Sequence, residues 1–156
     1  MKKEIKKIGK NVIDLQIKAL EQLKYSINDS FEKAVKTIIK CKSKIIICGV
    51  GKSGIIASKI SATLSSVGTP SFSISASDCS HGDLGRITKK DILILISNSG
   101  NTSELNNIIE YSKKNRITLI GIVSNKNSTL YKSSNIKLFI PEVIEAGYGI
   151  VPTSST

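Results

Sequence analysis

Residues 45–54 read IIICGVGKSG, and residues 92–104 read ILILISNSGNTSE. Each stretch begins with a continuous apolar run, which is typical of a strand buried on both faces of a parallel sheet. Each run leads into a polar loop that combines Gly with Ser, Thr or Lys, and then into a helix-like segment. Backbone N–H groups that open a helix bind anions, and the carboxyl ends of parallel strands meet at one edge of the sheet. The two stretches therefore predict an α/β domain with a phosphate site at that edge.

The chain after residue 43 continues this alternation of short apolar runs and helix-like segments. The predicted strands are 44–48, 71–75, 91–96, 117–123 and 136–140, and the predicted helices between them are 53–66 and 103–114. This order predicts a three-layer αβα sandwich around a mostly parallel sheet of five strands. Residues 152–156, PTSST, resemble a helix start with hydroxyl caps after a proline, so we expect the final helix of the domain to be missing.

Two helices are predicted before the sheet, at 4–27 and at 30–41, with Ser30 as the cap of the second. The first helix has apolar residues at steps of three and four along one face: Ile5, Ile8, Val12, Leu15, Ala19, Leu20 and Leu23. Aromatic residues make up only 4% of the chain. We therefore expect this face to pack on the domain or on a partner subunit rather than on a membrane surface.

Composition limits the class of protein. A length of 156 residues with 40% hydrophobic content fits one globular domain, and no apolar run approaches the roughly 18 residues that span a bilayer. The net charge of +11 favours an anionic ligand, but the lysines are spread along the whole chain, which disfavours a nucleic-acid surface. Three cysteines without C-x-x-C spacing favour free thiols, no zinc site and a cytoplasmic location.

The glycines after the first predicted strand fit two nucleotide-binding motifs incompletely. A P-loop would need Gly at position 46, which is Ile46. Gly49, Gly51 and Gly54 satisfy the dinucleotide spacing, but no acidic residue closes the second strand before Asp78. In the second loop, the hydroxyls of Ser97, Ser99 and Thr102 lie beside the N–H groups of the next helix, which suits one small terminal phosphate.

Five blocks in order, GVGKSG, SVGTP, HGDLG, ISNSGNTSE and VPTSST, resemble the sugar isomerase (SIS) domain of the arabinose-5-phosphate isomerases. The resemblance runs from about residue 10 to the last residue. It implies interconversion of D-arabinose 5-phosphate and D-ribulose 5-phosphate through an enediol, without a cofactor, as a supply for Kdo and lipopolysaccharide synthesis. It also implies a homo-oligomer, a dimer or a tetramer, in which the phosphosugar is the ligand and neither nucleic acid nor a membrane is bound.

The resemblance assigns site residues motif by motif. The catalytic lysine falls on Lys52, and the two catalytic carboxylates fall on Glu104 and Glu145. At the first turn of a helix, the dipole favours the ionised form of Glu104, which suits a base. His81, the only histidine, is expected to contact the substrate. The substrate-binding residues implied are Gly49, Gly51, Ser53, Gly68, Thr69, His81, Ser97, Asn98, Ser99 and Thr102.

This sequence also departs from the family. Many relatives have a histidine where this chain has Ser75, so we expect no metal site. The family's remaining catalytic histidine, its final helices and the paired CBS domains belong to segments after residue 156. We therefore expect one incomplete domain over 1–156, with helices in 1–42 and the sheet in 43–156. The alternative to an isomerase is a phosphosugar-binding or vestigial domain without catalysis.

Overall fold

The computed structural model describes residues 2–146. Two helices, α1 (Lys2–Lys24) and α2 (Asp29–Ile39), precede the sheet. The strands are β1 (Ile45–Gly49), β2 (Ser71–Ser75), β3 (Ile92–Ile96), β4 (Thr118–Val123) and β5 (Ile136–Phe139). The helices between them are α3 (Lys52–Ser66), α4 (Ala76–Ser80), α5 (Asn106–Lys114) and α6 (Thr129–Ser133), with 3₁₀ turns at Asp83–Arg86 and Ser103–Leu105.

The five strands form one sheet in the order β2-β1-β3-β4-β5, and every neighbouring pair is parallel. The chain moves outward to β2 on one side of β1 and then crosses to β3 on the other side. Ligands of open parallel sheets bind outside the carboxyl ends of the strands at this change of direction. The structure thus places the loops that follow β1 and β3 next to each other.

Helices cover both faces of the sheet, because β1 and β3 are apolar on both. Ile45 and Ile47 face α2 and α3, and Ile46 and Cys48 face α4, α5 and α6. All residues of β1 and β3 are buried. The predicted αβα sandwich is confirmed, with a sheet that is parallel throughout.

The predicted strands and long helices lie within a few residues of the observed ones, but α4, the 3₁₀ turn at Asp83–Arg86 and α6 were not predicted. Helices α4 and α6 have five residues each, too few to show a helical period. The segment predicted as one helix over 103–114 begins with a 3₁₀ turn and becomes α-helical at Asn106.

Helix α1 is present as predicted, but its apolar side chains are mostly exposed. Val12, Leu15, Ala19 and Leu23 are half-buried, whereas Ile5 and Ile8 retain 62% and 48% of their accessible surface. Ile13, Ile17 and Leu20 lie on a second stripe and are 57%, 48% and 64% exposed. The first half of α1 therefore extends beyond the domain.

Candidate active site

A cleft of about 620 Å³ lies outside the carboxyl ends of the strands, which we call the carboxyl edge of the sheet. The register pairs Gly49 with Ile96, so the loops after β1 and β3 start side by side. The cleft is lined by Gly49, Val50, Gly51, Gly54, Ile55, Ser58, Ser73, Ile74, Ser75, Ala76, Ser77 and Glu104. Three predicted site residues, Gly49, Gly51 and Glu104, thus meet in one cavity.

Glycines let the first loop place the start of α3 against the end of β1. A Cβ atom on Gly49 would lie 2.6 Å from the carbonyl carbon of Ser53, and one on Gly54 would lie 2.9 Å from the Gly49 oxygen. Gly51 precedes α3 with a φ of 59°, in the region that favours glycine. Helix α3 therefore begins with backbone donors close to the strand end, where an anion can approach them.

Lys52 and Ser53 open α3 but lie in different surroundings. Lys52 is exposed and makes no ion pair with the described residues. Ser53 lines a second cavity on the other side of α3, which we call the α1–α3 groove. Its lining is otherwise apolar: Ala19, Leu20, Leu23, Ile56, Ile60, Ile96, Ile122, Ile140, Pro141 and Val143. The structure does not bring Ser53 into the cleft, and its role in binding stays a prediction.

The second loop is held by the hydroxyl of Ser97, which is buried. This oxygen accepts the Gly100 N–H at 3.0 Å and shares a hydrogen bond of 2.7 Å with the Thr102 hydroxyl. Gly100 has a φ of 68°, and a Cβ atom there would lie 2.2 Å from Ser128 Oγ. The hydroxyls of Ser97 and Thr102, two of the three that were predicted to bind phosphate, therefore form a hydrogen bond with each other inside the loop.

Asparagines connect this loop to the segment after β4. The side-chain oxygen of Asn98 accepts a hydrogen bond from the Ser124 hydroxyl at 2.6 Å, and the Asn98 carbonyl accepts the Ser124 N–H at 3.0 Å. The side-chain oxygen of Asn101 accepts the Thr129 N–H at 2.9 Å. Sequence reasoning assigned Asn98 to the ligand and missed these partners, which lie in the turn-forming stretch SNKNST, residues 124–129.

Backbone N–H groups remain available on the outer side of the same loop. Among residues 2–146, no hydrogen-bond acceptor faces the N–H groups of Ser99, Thr102 or Ser103. The Ser99 side chain is exposed, and its hydroxyl accepts only a 3.3 Å hydrogen bond from the Asn101 N–H. These groups form an exposed donor surface of the kind that binds phosphate oxygens.

Glu104 lies between this donor surface and the cleft. Its own backbone N–H and the Ser103 hydroxyl, which donates to Oε2 at 2.8 Å, lower the pKa of the carboxyl below its ordinary value. The carboxylate is fully exposed and is therefore ionised and accessible at neutral pH. It can accept a proton from a ligand carbon in the cleft.

His81 and Glu145 are placed near the same edge but outside the cleft. His81 ends α4, is exposed, and donates its backbone N–H to Asp78 at 3.0 Å. The segment after β5 turns back over β4, where the Ile140 N–H donates to Val123 at 2.8 Å, and its Val143 shares the α1–α3 groove with Ser53. Glu145, two residues later, is partly buried, and its role in catalysis stays a prediction.

Gly68 and Thr69 lie at the other end of the strands, where their amino ends meet, which we call the amino edge of the sheet. They precede β2, and the next residue, Pro70, accepts the N–H of Ile45 at the first position of β1. Five strand residues, about 16 Å, separate them from the cleft. One copy of the chain does not bring them together with the other predicted site residues.

Several cleft residues were not predicted. The hydroxyls of Ser58 and Ser73 share a hydrogen bond of 3.0 Å in the wall of the cleft, beside Ser75 and Ser77. The signal was the alternation SFSIS in 71–75, which places its serines on the face of β2 that packs on α3. The block VPTSST and the helix start predicted there lie outside the described residues.

Within residues 2–146, every helix is too short or too polar to span a bilayer. No group of three or more His, Cys, Asp or Glu side chains is placed to hold a metal ion within the same range. The prediction that the protein binds no metal stays a prediction.

The SIS domain model matches residues 37–156. The chain belongs to the SIS domain family. It is 42% identical over 154 residues to the arabinose 5-phosphate isomerase KdsD of Yersinia pestis. The alignment covers 98% of this chain and 47% of that protein. It is 46% identical over 149 residues to an uncharacterised protein of Rickettsia prowazekii, which covers 96% of this chain and 47% of that protein. The chain thus spans about half the length of the curated relatives it matches.

Solved structures agree with the family and the fold. An Escherichia coli CFT073 protein in complex with arabinose 5-phosphate has a TM-score of 0.92 and 37% identity, and the match covers 98% of this chain and 82% of that one. A sugar-phosphate isomerase assigned in Listeria monocytogenes has a TM-score of 0.95 and 32% identity, with 99% of this chain and 82% of that chain covered. The resemblance to the arabinose-5-phosphate isomerases and the predicted SIS fold are confirmed.

Proposed function

We propose that this chain is the isomerase domain of an enzyme that interconverts D-arabinose 5-phosphate and D-ribulose 5-phosphate. The observation that carries the proposal is the position of Glu104. This exposed, ionised carboxylate borders both the glycine-lined cleft and the free N–H groups of the SNSGNT loop. The similarity to KdsD proteins and to a structure that contains arabinose 5-phosphate supports the choice of substrate.

The phosphate would bind at the second loop. The N–H groups of Ser99, Thr102 and Ser103 are the donors, and the Ser99 hydroxyl adds another. Ser97 and Asn98 act indirectly in this arrangement, because their side chains hold the loop in shape. A phosphate there leaves the carbon chain of the sugar free to enter the cleft.

The proton transfer would use the carboxylates and the lysine. Glu104 removes the proton from C2 of the aldose, and the electron pair moves to form the C1–C2 double bond of an enediol. The carbonyl oxygen at C1 gains a proton to give the enediol. The ketose forms when C1 accepts a proton and the hydroxyl on C2 loses one, so no electrons leave the sugar. Lys52 stabilises the negative charge that develops on the sugar oxygen. Glu145 is the candidate group that donates and accepts the hydroxyl protons. His81 is a candidate contact for the sugar.

The second candidate function is phosphosugar binding without turnover. It is favoured by one observation: within residues 2–146, Glu104 is the only carboxylate that lines the cleft. Binding needs the loops alone, whereas turnover also needs proton transfer to the substrate oxygens.

The two functions are separated by incubating the protein with arabinose 5-phosphate in D2O and following the sugar by NMR. An isomerase produces ribulose 5-phosphate with solvent deuterium at C1, and the reverse reaction puts deuterium at C2. A protein that the sugar stabilises against heat, but that produces no ketose and no deuterium, has the binding function only. Absence of both signals from folded protein contradicts both functions.

The remaining expectations follow from the proposed substrate. Arabinose 5-phosphate would place the protein in the supply of Kdo for lipopolysaccharide. All three cysteines are free thiols, which agrees with a reducing, cytoplasmic location. The similarity to the SIS isomerases also favours a homo-oligomer.

A further inference from the structure

The amino edge of the sheet carries a group of cations that the proposed site does not use. Strands β1, β3 and β4 are parallel neighbours, so the segments before them, 41–44, 88–91 and 113–117, lie side by side within about 10 Å. The first two segments are in contact, because the Cys41 thiol donates to the Lys90 carbonyl at 3.8 Å. The exposed cations of the three segments, which we call the basic patch, are Lys42, Lys89, Lys90, Lys113, Lys114 and Arg116.

No acidic side chain pairs with the basic patch. Asp91 is the only acidic residue of the three segments, and it is buried and paired with Lys44 at 3.0 Å. Glu110 lies one turn before Lys113 on α5 but forms no ion pair with it. Within residues 2–146, none of the cations of the basic patch forms an ion pair. Lysines that are spread evenly along the sequence are thus brought together by the sheet into a local excess of positive charge.

The basic patch is too far from the cleft to bind the proposed substrate. The cleft and the proposed phosphate donors lie at the carboxyl edge, at the other end of the strands. Two lysines and five acidic residues occur in the segments that follow the strands at that edge, 50–53, 76–83, 97–105, 124–128 and 140–146. The positive charge of the amino edge therefore favours a different anion.

Arg116 lies in a strained backbone conformation. Its φ is 54°, and among residues 2–146 it is the only residue other than glycine with a positive φ. It follows the end of α5, at a position where glycine is preferred because a Cβ atom is strained there. A cation at such a position indicates that its charge has a use on this edge.

Two exposed aliphatic side chains indicate which kind of anion fits the amino edge. Ile39, at the end of α2 and three residues before Lys42, is 75% exposed. Val67, after the end of α3, is 72% exposed, and its segment reaches the start of β1. Cations alone suit any polyanion, but aliphatic side chains beside them are stabilised only by apolar surroundings. An anionic lipid surface offers both phosphate groups and apolar chains, whereas the backbone of a nucleic acid offers only phosphates.

We propose that the amino edge binds the surface of an anionic phospholipid bilayer. The basic patch contacts the phosphate headgroups, and Ile39 and Val67 enter the boundary between headgroups and acyl chains. The carboxyl edge then faces the solution, so the cleft stays open to its ligand. Each cation strengthens such binding about fivefold, and salt reverses it. This association does not depend on isomerase activity.

Cosedimentation with lipid vesicles tests the proposal. Wild-type protein should bind vesicles of equal parts phosphatidylglycerol and phosphatidylcholine at about 0.05 M NaCl and should dissociate at about 0.5 M NaCl. It should not bind vesicles of phosphatidylcholine alone. Binding should become roughly 100-fold weaker in a triple variant of the basic patch: Lys42→Gln, Lys90→Gln and Lys114→Gln.

A matched control separates the position of the charges from the net charge. It removes three exposed lysines of α1, so its net charge equals that of the first variant: Lys7→Gln, Lys10→Gln and Lys18→Gln. This control should bind the anionic vesicles like wild type. Neither triple variant changes a residue of the proposed active site, so both should keep the isomerase rate of wild type in solution.

Single substitutions test the two other features of the edge. Arg116→Gly removes a charge together with the strain, so it should raise the urea midpoint of unfolding while it weakens vesicle binding about fivefold. Ile39→Ser should also weaken vesicle binding, and its exposure means that the fold should be kept.

Three results would overturn the proposal: folded wild-type protein that does not bind the anionic vesicles, an equal loss of binding in the α1 control, or wild-type binding by Arg116→Gly. A DNA duplex that is bound more tightly than the vesicles at equal phosphate concentration would identify a nucleic acid as the partner and would also overturn it. Vesicle binding without isomerisation would contradict only the proposed function. Isomerisation without vesicle binding would contradict only this inference.

Discussion

The two edges of the sheet use a carboxylate in opposite ways. At the amino edge, Asp91 is 1% exposed and accepts hydrogen bonds from the Ser43 hydroxyl at 2.6 Å, the Thr88 N–H at 2.6 Å and Lys44 at 3.0 Å. At the carboxyl edge, Glu104 is exposed, and within residues 2–146 its one side-chain donor is Ser103. The first carboxylate is satisfied by the protein, and the second is open to a ligand.

This difference separates stability from function. The hydrogen bonds of Asp91 join residues 43–44, before β1, to residues 88–91, before β3, so they fix the two central strands in register. In the part of the chain that the structure describes, the Glu104 carboxylate accepts hydrogen bonds only from Ser103 and its own backbone. Substitutions at the amino edge should therefore change the free energy of unfolding, and substitutions at the carboxyl edge should change ligand chemistry.

The largest effect on stability is expected for Asp91→Ala. It leaves Ser43, Lys44 and Thr88 without their acceptor, and we expect a loss of about 3–4 kcal/mol in the free energy of unfolding, measured with urea. Asp83→Ala is the control, because it breaks a more exposed ion pair with Arg86 and should cost less than about 1 kcal/mol. Equal costs for the two substitutions would contradict the special role of the amino edge.

Gly100→Ala should be the next largest change. Its Cβ would overlap Ser128, and its φ is positive, so we expect a cost of about 3 kcal/mol and weaker binding of sugar phosphates. Gly85→Ala meets no atom within 4 Å and should stay within about 0.5 kcal/mol of wild type in the same urea titration. A fully stable Gly100→Ala protein would show that the loop adopts another shape.

The strands were predictable because their apolar runs are continuous, and the two loops were predictable because glycine and hydroxyl residues follow those runs. The roles of Ser97 and Asn98 were not, because a hydroxyl that holds a loop and one that binds a ligand are alike in sequence. Gly100 and Thr102, the partners of Ser97, lie in the same loop, but Ser124, the partner of Asn98, is brought there by the tertiary structure.

The same limit applies to Gly68 and Thr69. Their block lies between α3 and β2 in sequence, but only the direction of β2 places them at the amino edge. The exposure of α1 was also open, because an apolar stripe predicts burial without specifying the surface that covers it. Both features depend on how segments that are far apart in the chain pack together, and a single sequence does not show that packing.

Acid should weaken the amino edge by protonating Asp91. Burial alone would raise the pKa of Asp91, but its hydrogen bonds from Ser43, Thr88 and Lys44 outweigh burial and lower the pKa to about 2 from an ordinary 3.8. The folded state therefore binds this proton less readily, and the resulting stability is present above pH 4 and lost as the pH falls toward 2. The free energy of unfolding of wild type should fall by about 2 kcal/mol over this pH range because Asp91 takes up a proton. Asp91→Asn cannot titrate there, so urea unfolding at each pH should show that this loss is absent.

The smallest expected effects compare two serines of one loop. Ser97→Ala removes the acceptor of the Gly100 N–H and should cost about 1 kcal/mol in stability as well as some affinity for sugar phosphate. Ser99→Ala should leave the unfolding transition unchanged and weaken only the affinity, because Ser99 is exposed. Calorimetric titration and urea unfolding of both variants measure this difference, and identical behaviour of the two would contradict it.

The most direct test of the division between the edges is Glu104→Gln, with Glu110→Gln on the exposed side of α5 as the matched control. We expect Glu104→Gln to unfold like wild type, to retain binding of arabinose 5-phosphate, and to incorporate deuterium from D2O at least about 100-fold more slowly. The control should keep the wild-type rate. A Glu104→Gln protein that exchanges deuterium at the wild-type rate, or one that loses its fold, would contradict the proposed role of Glu104.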